Sequence, residues 1–234
     1  MRSLAAMLLA IFACAASPLE AQQIAYEALV PGSSPMAGAS GNERFVAAHE
    51  RAVPSIATRE EIAAYGPFRV LDGHRAALVD ATDQRSPAAF TAMLAAYPGI
   101  ELIEMIDCPG TEDDIANLKL GRMIRARGIS TWVPEGGSVR SGGVELFLAG
   151  ARRFAHPQAE FAVHAWEDED GRQATDYPLT APENEKYLAY YREMGLSQAQ
   201  AQAFYAMTNA VRHEDTHWFD GAEMARWVVL DETA

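Results

Sequence analysis

Lysine is almost missing from this chain: of its 19 basic residues, only Lys119 and Lys186 are lysines. Positive charge as a whole is short, because 32 Asp and Glu leave a formal net charge of -13. Such an acid excess argues against nucleic acid as the partner, since phosphate binding needs clustered positive charge. It argues equally against an anionic membrane surface. Cysteine is scarce too, and Cys14 and Cys108 cannot build a disulfide framework or a multi-cysteine zinc site. Beyond residue 21, no apolar run approaches the ~20 residues needed to span a bilayer.

What is present is a globular composition. Hydrophobic residues make up 49% and charged residues 22% of the 234. At ~150 residues per domain, that length fits one large domain or two small ones. Residues 1–21 read as a secretory signal peptide. Arg2 is a minimal positive start, Leu4 to Ala16 is a short uncharged apolar core, and small residues with Pro18 follow. Cleavage fits after Ala21, or after Ala15 or Ala16. The alternative is an uncleaved N-terminal segment that anchors the protein to the membrane. Ile11 to Cys14 is a loose version of a lipidation box, with bulky Phe12 where a small residue belongs. A signal peptide places the mature chain in the periplasm or outside the cell. There Cys108, left alone by cleavage after Ala21, reads as a buried thiol. Residues 22–66, rich in Ala, Pro, Gly and Ser, read as an N-terminal arm with a loop at Pro31 to Pro35. Residues 67–234 read as a single α/β domain.

Within that domain the pattern alternates. Phe68 to Leu71 and Ala76 to Asp80 are short apolar runs around Asp72-Gly73, which predicts two strands. Ser86-Pro87 opens a helix through Leu94, ended by Pro98-Gly99. Ile100 to Ile106 is a strand. Thr111 to Arg127 is a helix, with acids in its first turn, arginines in its last turns and Gly128 beyond its end. Ile129 to Val133 is a strand, a Gly-rich turn follows, and Gly143 to Gly150 is a small helix. Ala159 to His164 is a strand. Residues 183–212 form one or two helices, whose tyrosines and methionines read as core or interface. Strands alternating with helices predict a parallel sheet.

The chemistry concentrates in Gly136 to Gly143, after the strand ending at Val133. Ser141 stands between a strand and a helix N-terminus, where outward N–H groups can hold a developing oxyanion. Glycines after it permit close approach of a substrate. His164, at the end of an apolar strand, is placed to serve as general base.

Three pieces in order carry a resemblance. Ile106 to Thr111 resembles the strand-end turn, usually Asn-Ser-Pro-Gly-Gly, of the Clp protease proteolytic subunit. Gly137 to Gly143, continuing to Ala151, resembles that family's nucleophile turn, usually Gly-x-Ala-x-Ser-x-Gly. Phe154 to Pro157, leading to Ala162-Val163-His164, resembles the strand that ends in its catalytic histidine. Trp218 to Asp231 is similar to its closing segment. The resemblance covers roughly residues 68–234 and extends to the crotonase-like superfamily, which also holds signal peptide peptidase A.

The resemblance implies a parallel-sheet ββα superhelix. Ser141 would be the nucleophile and His164 the base. The backbone N–H of Gly142, with that of Gly110 or Thr111, would form the oxyanion hole. The chemistry would be serine acyl transfer on a peptide or unfolded protein, with no cofactor and no metal. Assembly would be a ring or other homo-oligomer, and an exported relative would work without an ATPase partner. Two alternatives stand beside this reading: a non-catalytic binding or scaffolding protein with a degenerate triad, and an esterase-type hydrolase. Signal peptide peptidase A uses a Ser-Lys dyad, but Lys119 lies in the helix before the nucleophile turn, which favours His164.

The sequence departs from the family's pattern at three positions, and two further features bear on the site. Thr111 replaces a turn glycine, and a β-branched residue resists positive φ. Arg140 replaces a small residue, either to bind a substrate carboxylate or to pair with an acid of the chain. His213 falls where the family's aspartate is expected, so a small shift is needed to bring Asp215, or else Glu214, into that role. Glu167 to Asp170 form an acidic loop after His164, either solvated or folded over the imidazole, where it would raise the histidine's pKa. His213 and His217, with Asp215, are also the elements of an incomplete metal site.

Overall fold

The structure, a computed structural model, describes Arg44–Phe45 and residues 61–232. The segment read as a signal peptide, its expected cleavage sites, Cys14 and most of the expected arm lie outside the described residues. The described residues belong to one compact unit. Among the described residues no helix is long and apolar enough to cross a membrane.

Strand β1 (Arg44–Phe45) comes first, from within the arm. A meander of β2 (Ala63–Tyr65), β3 (Phe68–Val70) and β4 (Arg75–Leu78) follows, in antiparallel pairs. The connections at Gly66 and Asp72-Gly73 are tight turns, which can join only antiparallel neighbours. The sheet is therefore mixed, whereas alternation alone predicted a parallel one. It also begins earlier than residue 67, because Tyr65 of β2 is buried in the core.

After helix α1 (Ser86–Ala96) a repeat sets in. Strand β5 (Leu102–Met105) joins the first sheet and β6 (Asp107–Cys108) a second one. Short β7 (Gly110–Thr111) and helix α2 (Asp114–Ala126) follow. The second pass is β8 (Ser130–Val133), β9 (Ser138–Arg140) and α3 (Gly142–Leu148). The third supplies β10 (Arg153–Ala155) and β11 (Glu160–Val163). In the first sheet the order runs β10-β8-β5-β4-β3-β2, and in the second β11-β9-β6. Each pass thus lays one strand beside the last in both sheets, in parallel. Ser138–Arg140 is a strand where a continuous Gly-rich turn was expected. The turn itself is confined to Pro134–Gly137, closed by Gly137 N–H donating to the Pro134 carbonyl at 2.9 Å.

The helices 183–212 resolve into α4 (Pro182–Glu193) and α5 (Gln198–Thr208), separated at Gly195 with φ 97. Tyr187, Tyr190 and Tyr191 of α4 are buried. Tyr190 Oη donates to the Glu145 carbonyl at 2.6 Å and Tyr191 Oη to Glu145 Oε1 at 2.9 Å. These bonds dock α4 onto α3. The Tyr190 ring lies over Gly121 of α2, where a Cβ would stand 1.9 Å from the phenol oxygen. Gly121→Ala is therefore expected to lower stability by about 1–3 kcal/mol through overpacking, read from the urea midpoint. Strand β12 (His217–Asp220), antiparallel to β11, and helix α6 (Gly221–Trp227) close the second sheet.

Candidate active site

Three parallel neighbours, β6, β9 and β11, bring the expected residues to one end of the second sheet. Cys108 is opposite Val139, and Arg140 is opposite Ala162. Gly110–Thr111, Ser141–Gly142 and His164 all follow within three residues of those pairs. The carboxyl ends of parallel strands are where α/β sheets place their sites.

Ser141 joins β9 to α3. Its N–H donates to the Ala162 carbonyl at 2.8 Å, and its own carbonyl accepts from Val144 N–H at 2.9 Å. Pinned on both sides, it adopts φ 47 and ψ -125. It is the only non-glycine with positive φ among the described residues. Such a conformation costs ~1–3 kcal/mol and persists only where the surroundings impose it. A strained serine on a strand-to-helix turn is the geometry that aims a nucleophile. Ser141 is wholly buried, and its Oγ makes no hydrogen bond among the described residues. Ser141 Oγ therefore makes no hydrogen bond to His164. Catalytic hydrogen bonds often tighten only with substrate in place.

The turn after the serine is packed too closely for side chains. A Cβ on Gly142 would stand 2.6 Å from Thr111 Cγ2, and one on Gly143 would stand 3.0 Å from Cys108 Cβ. Asn117 of α2, which the sequence reading passed over, clamps this turn. Its Nδ2 donates to the Gly142 carbonyl at 2.7 Å, and its Oδ1 accepts from Thr82 Oγ1 at 2.8 Å. A buried asparagine inside a helix was the available signal. Gly142 is the first residue of α3, so its N–H has no partner within the helix. The positive φ of the facing turn falls on Gly110, at 140. Thr111 is extended and tolerates its branched side chain, so the substitution leaves the turn intact.

The edge of β7 is also informative. The Gly110 carbonyl and the Glu112 N–H serve Thr82, at 3.1 and 2.8 Å. Alternate residues of a strand face opposite edges, so Thr111 presents its backbone groups to the other side. There β1 pairs antiparallel, with Arg44 opposite Thr111. Of the two proposed donors, Thr111 is thus the one committed to the arm's strand.

His164 is wholly buried, and its Nδ1 lies 2.9 Å from the Ala165 carbonyl. His213, half-buried, places its own Nδ1 3.0 Å from the same oxygen. The two rings are 4.7 Å apart and inclined at 72°. Asp215 and Glu214 are exposed, and among the described residues neither carboxylate bonds to His164. The Arg212 side chain beside Glu214 holds that carboxyl down at about 2, so its charge is already matched. Ser141, Gly142, Gly110, Thr111 and His164 thus lie at the same end of the second sheet, with Gly142 packed on Thr111, while Asp215 is exposed.

The neighbouring charges are internally paired. Arg140 is buried, reaching Asp107 Oδ1 at 2.7 Å and Ser138 Oγ at 2.6 Å. Asp168 of the acidic loop pairs with Arg172 at 3.4 Å and accepts from Tyr177 Oη. Glu167 accepts from Gln173 Nε2 at 3.0 Å. That loop borders an acidic, aromatic-walled cavity of about 330 Å³ with Asp114, Trp166 and Lys186. Burial pushes the Cys108 thiol well above its ordinary range, which makes it inert. Among the described residues no three His, Cys, Asp or Glu side chains converge to hold a metal. No protein-family model and no curated protein matches this chain.

Proposed function

We propose that this protein is an exported serine hydrolase of crotonase-like fold, with Ser141 as nucleophile and His164 as base. The strained, buried Ser141 at the β9–α3 junction carries the reading, and the strand–strand–helix repeat supports the family assignment. In the reaction Ser141 Oγ attacks an acyl carbon while its proton passes to His164 Nε2. The carbonyl electrons move to oxygen, and the resulting oxyanion is held by the N–H of Gly142 and of Gly110, the Thr111 backbone being paired with β1. Collapse breaks the bond to the leaving group, which takes the proton from His164. Water, deprotonated by His164, then frees the acid and restores the serine. No step calls for a cofactor or an ATPase. A homo-oligomeric, periplasmic peptidase is the form that the resemblance and the N-terminal segment suggest.

A peptide is favoured over a simple ester by the β7 edge. That edge accepts an extended chain, the protein's own β1, and main-chain pairing at a sheet edge is a general way to seat a peptide. Substrate entry there requires β1 to yield. Arg44→Pro, which removes a backbone N–H from β1, is expected to speed labelling by a fluorophosphonate about two- to tenfold, the value of one net hydrogen bond.

The exposed position of Asp215 favours the second reading, a non-catalytic binding protein that keeps the fold. A fluorophosphonate probe separates the two. Labelling of the folded protein supports the enzyme, and a folded protein that stays unlabelled supports the scaffold. Parallel peptide and ester substrates then divide peptidase from esterase.

A further inference from the structure

We infer that His213 is the positioning residue for His164, an imidazole standing where this type of site otherwise has a carboxylate. The inference rests on the proposed role of His164. Two independent contacts carry it: the 4.7 Å edge-on packing of the rings, and the convergence of both Nδ1 atoms on the Ala165 carbonyl. A carbonyl oxygen has two lone pairs and can accept from both rings. Donation from Nδ1 fixes the His164 tautomer with its lone pair on Nε2, the form a general base needs. A carboxylate does this elsewhere by accepting the Nδ1 proton itself. Here the main chain accepts it, and His213 holds that carbonyl and packs against the ring.

His213 is itself held. Its N–H donates to Gln173 Oε1 at 3.1 Å. Gln173 Nε2 in turn donates to Glu167 and Glu214, at 3.0 and 3.3 Å. The β12–β11 pairing sets the approach: His217 is opposite Val163, and Ala165 N–H donates to the Val211 carbonyl at 3.0 Å. The titratable groups around His213 are therefore His164 from the end of β11, Glu167 from the acidic loop through Gln173, and Arg212, Glu214 and Asp215 on its own segment.

The arrangement differs electrostatically from a carboxylate-assisted one. A neutral imidazole does not stabilise the imidazolium as an anion does, and a protonated one opposes it. The pH at which His164 takes up its proton should therefore rise in the order parent, His213→Ala, His213→Asp. The Asp variant should lie about 1–3 pH units above the parent, the usual effect of an adjacent opposite charge.

The test is a ¹⁵N NMR titration of the histidine side chains in the full chain, with fluorophosphonate labelling measured on the same samples. The expected result is that order of midpoints, with His164 in the Nδ1–H tautomer in the parent. Labelling is expected to fall about 10- to 100-fold in His213→Ala and to recover at higher pH in His213→Asp. A loosened fold alone would slow labelling without reordering the midpoints. An unchanged His164 midpoint and tautomer in both variants would overturn the inference. If the parent does not label, the hydrolase reading fails, while the NMR order still decides whether His213 positions His164.

Discussion

Ser141→Gly is expected to make the protein more stable and to abolish its reaction with fluorophosphonates. Glycine adopts positive φ freely, so the substitution removes the strain at φ 47. It also removes a buried hydroxyl that has no hydrogen bond among the described residues. Together these are worth about 1–3 kcal/mol. For a chain of this size each kcal/mol raises Tm by about 2–4 °C. Calorimetry and labelling on the same preparation read both effects. A Tm that falls would show that φ 47 stores no strain, and labelling that survives would remove Ser141 from the nucleophile's role.

The second large effect is expected at the turn beyond it. Gly142→Ala drives a methyl to 2.6 Å from Thr111 Cγ2, separating the serine turn from the Gly110–Thr111 turn proposed to hold the oxyanion. Overpacking of this kind costs about 1–3 kcal/mol. Labelling should fall at least ~100-fold, as when an oxyanion donor is displaced. Thr111→Ser removes the opposing methyl and should leave the parent turn nearly unchanged. The double variant should recover part of both losses, because residues in contact do not act additively. Labelling rates and urea midpoints for the four proteins form the cycle. Strict additivity would show that the two turns do not support one another.

Much of the fold was legible where one local signal decided it. The acids before α2 and Gly128 after it bracket that helix. Asp113 is its cap, accepting from Ala116 N–H at 2.9 Å, so the helix starts later than Thr111. The turn residues Asp72-Gly73 marked a strand boundary, but the pairing direction followed from the tightness of the connection. Strand β9 was illegible because Ser138–Arg140 owes its extended form to β6 and β11 on either side. Ser141 was legible as a candidate from its place between strand and helix, but its strain was not. That strain arises from hydrogen bonds to Ala162 and Val144, which no local pattern encodes. His213 was visible as an oddity at the acid's position. Its contact with His164 depends on the β11–β12 register, which sets residues about fifty apart in sequence side by side. The arm's strand on β7 was invisible for the same reason: two residues pair there with an edge far along the chain.

The central claim is that Ser141 is an activated nucleophile. Its most direct test is intact-mass analysis of the folded protein after fluorophosphonate treatment, followed by peptide mapping of the adduct. A single phosphonyl group on Ser141, absent from the denatured protein, is the expected result. A folded protein that gains no mass, or carries the group on another residue, would contradict the claim.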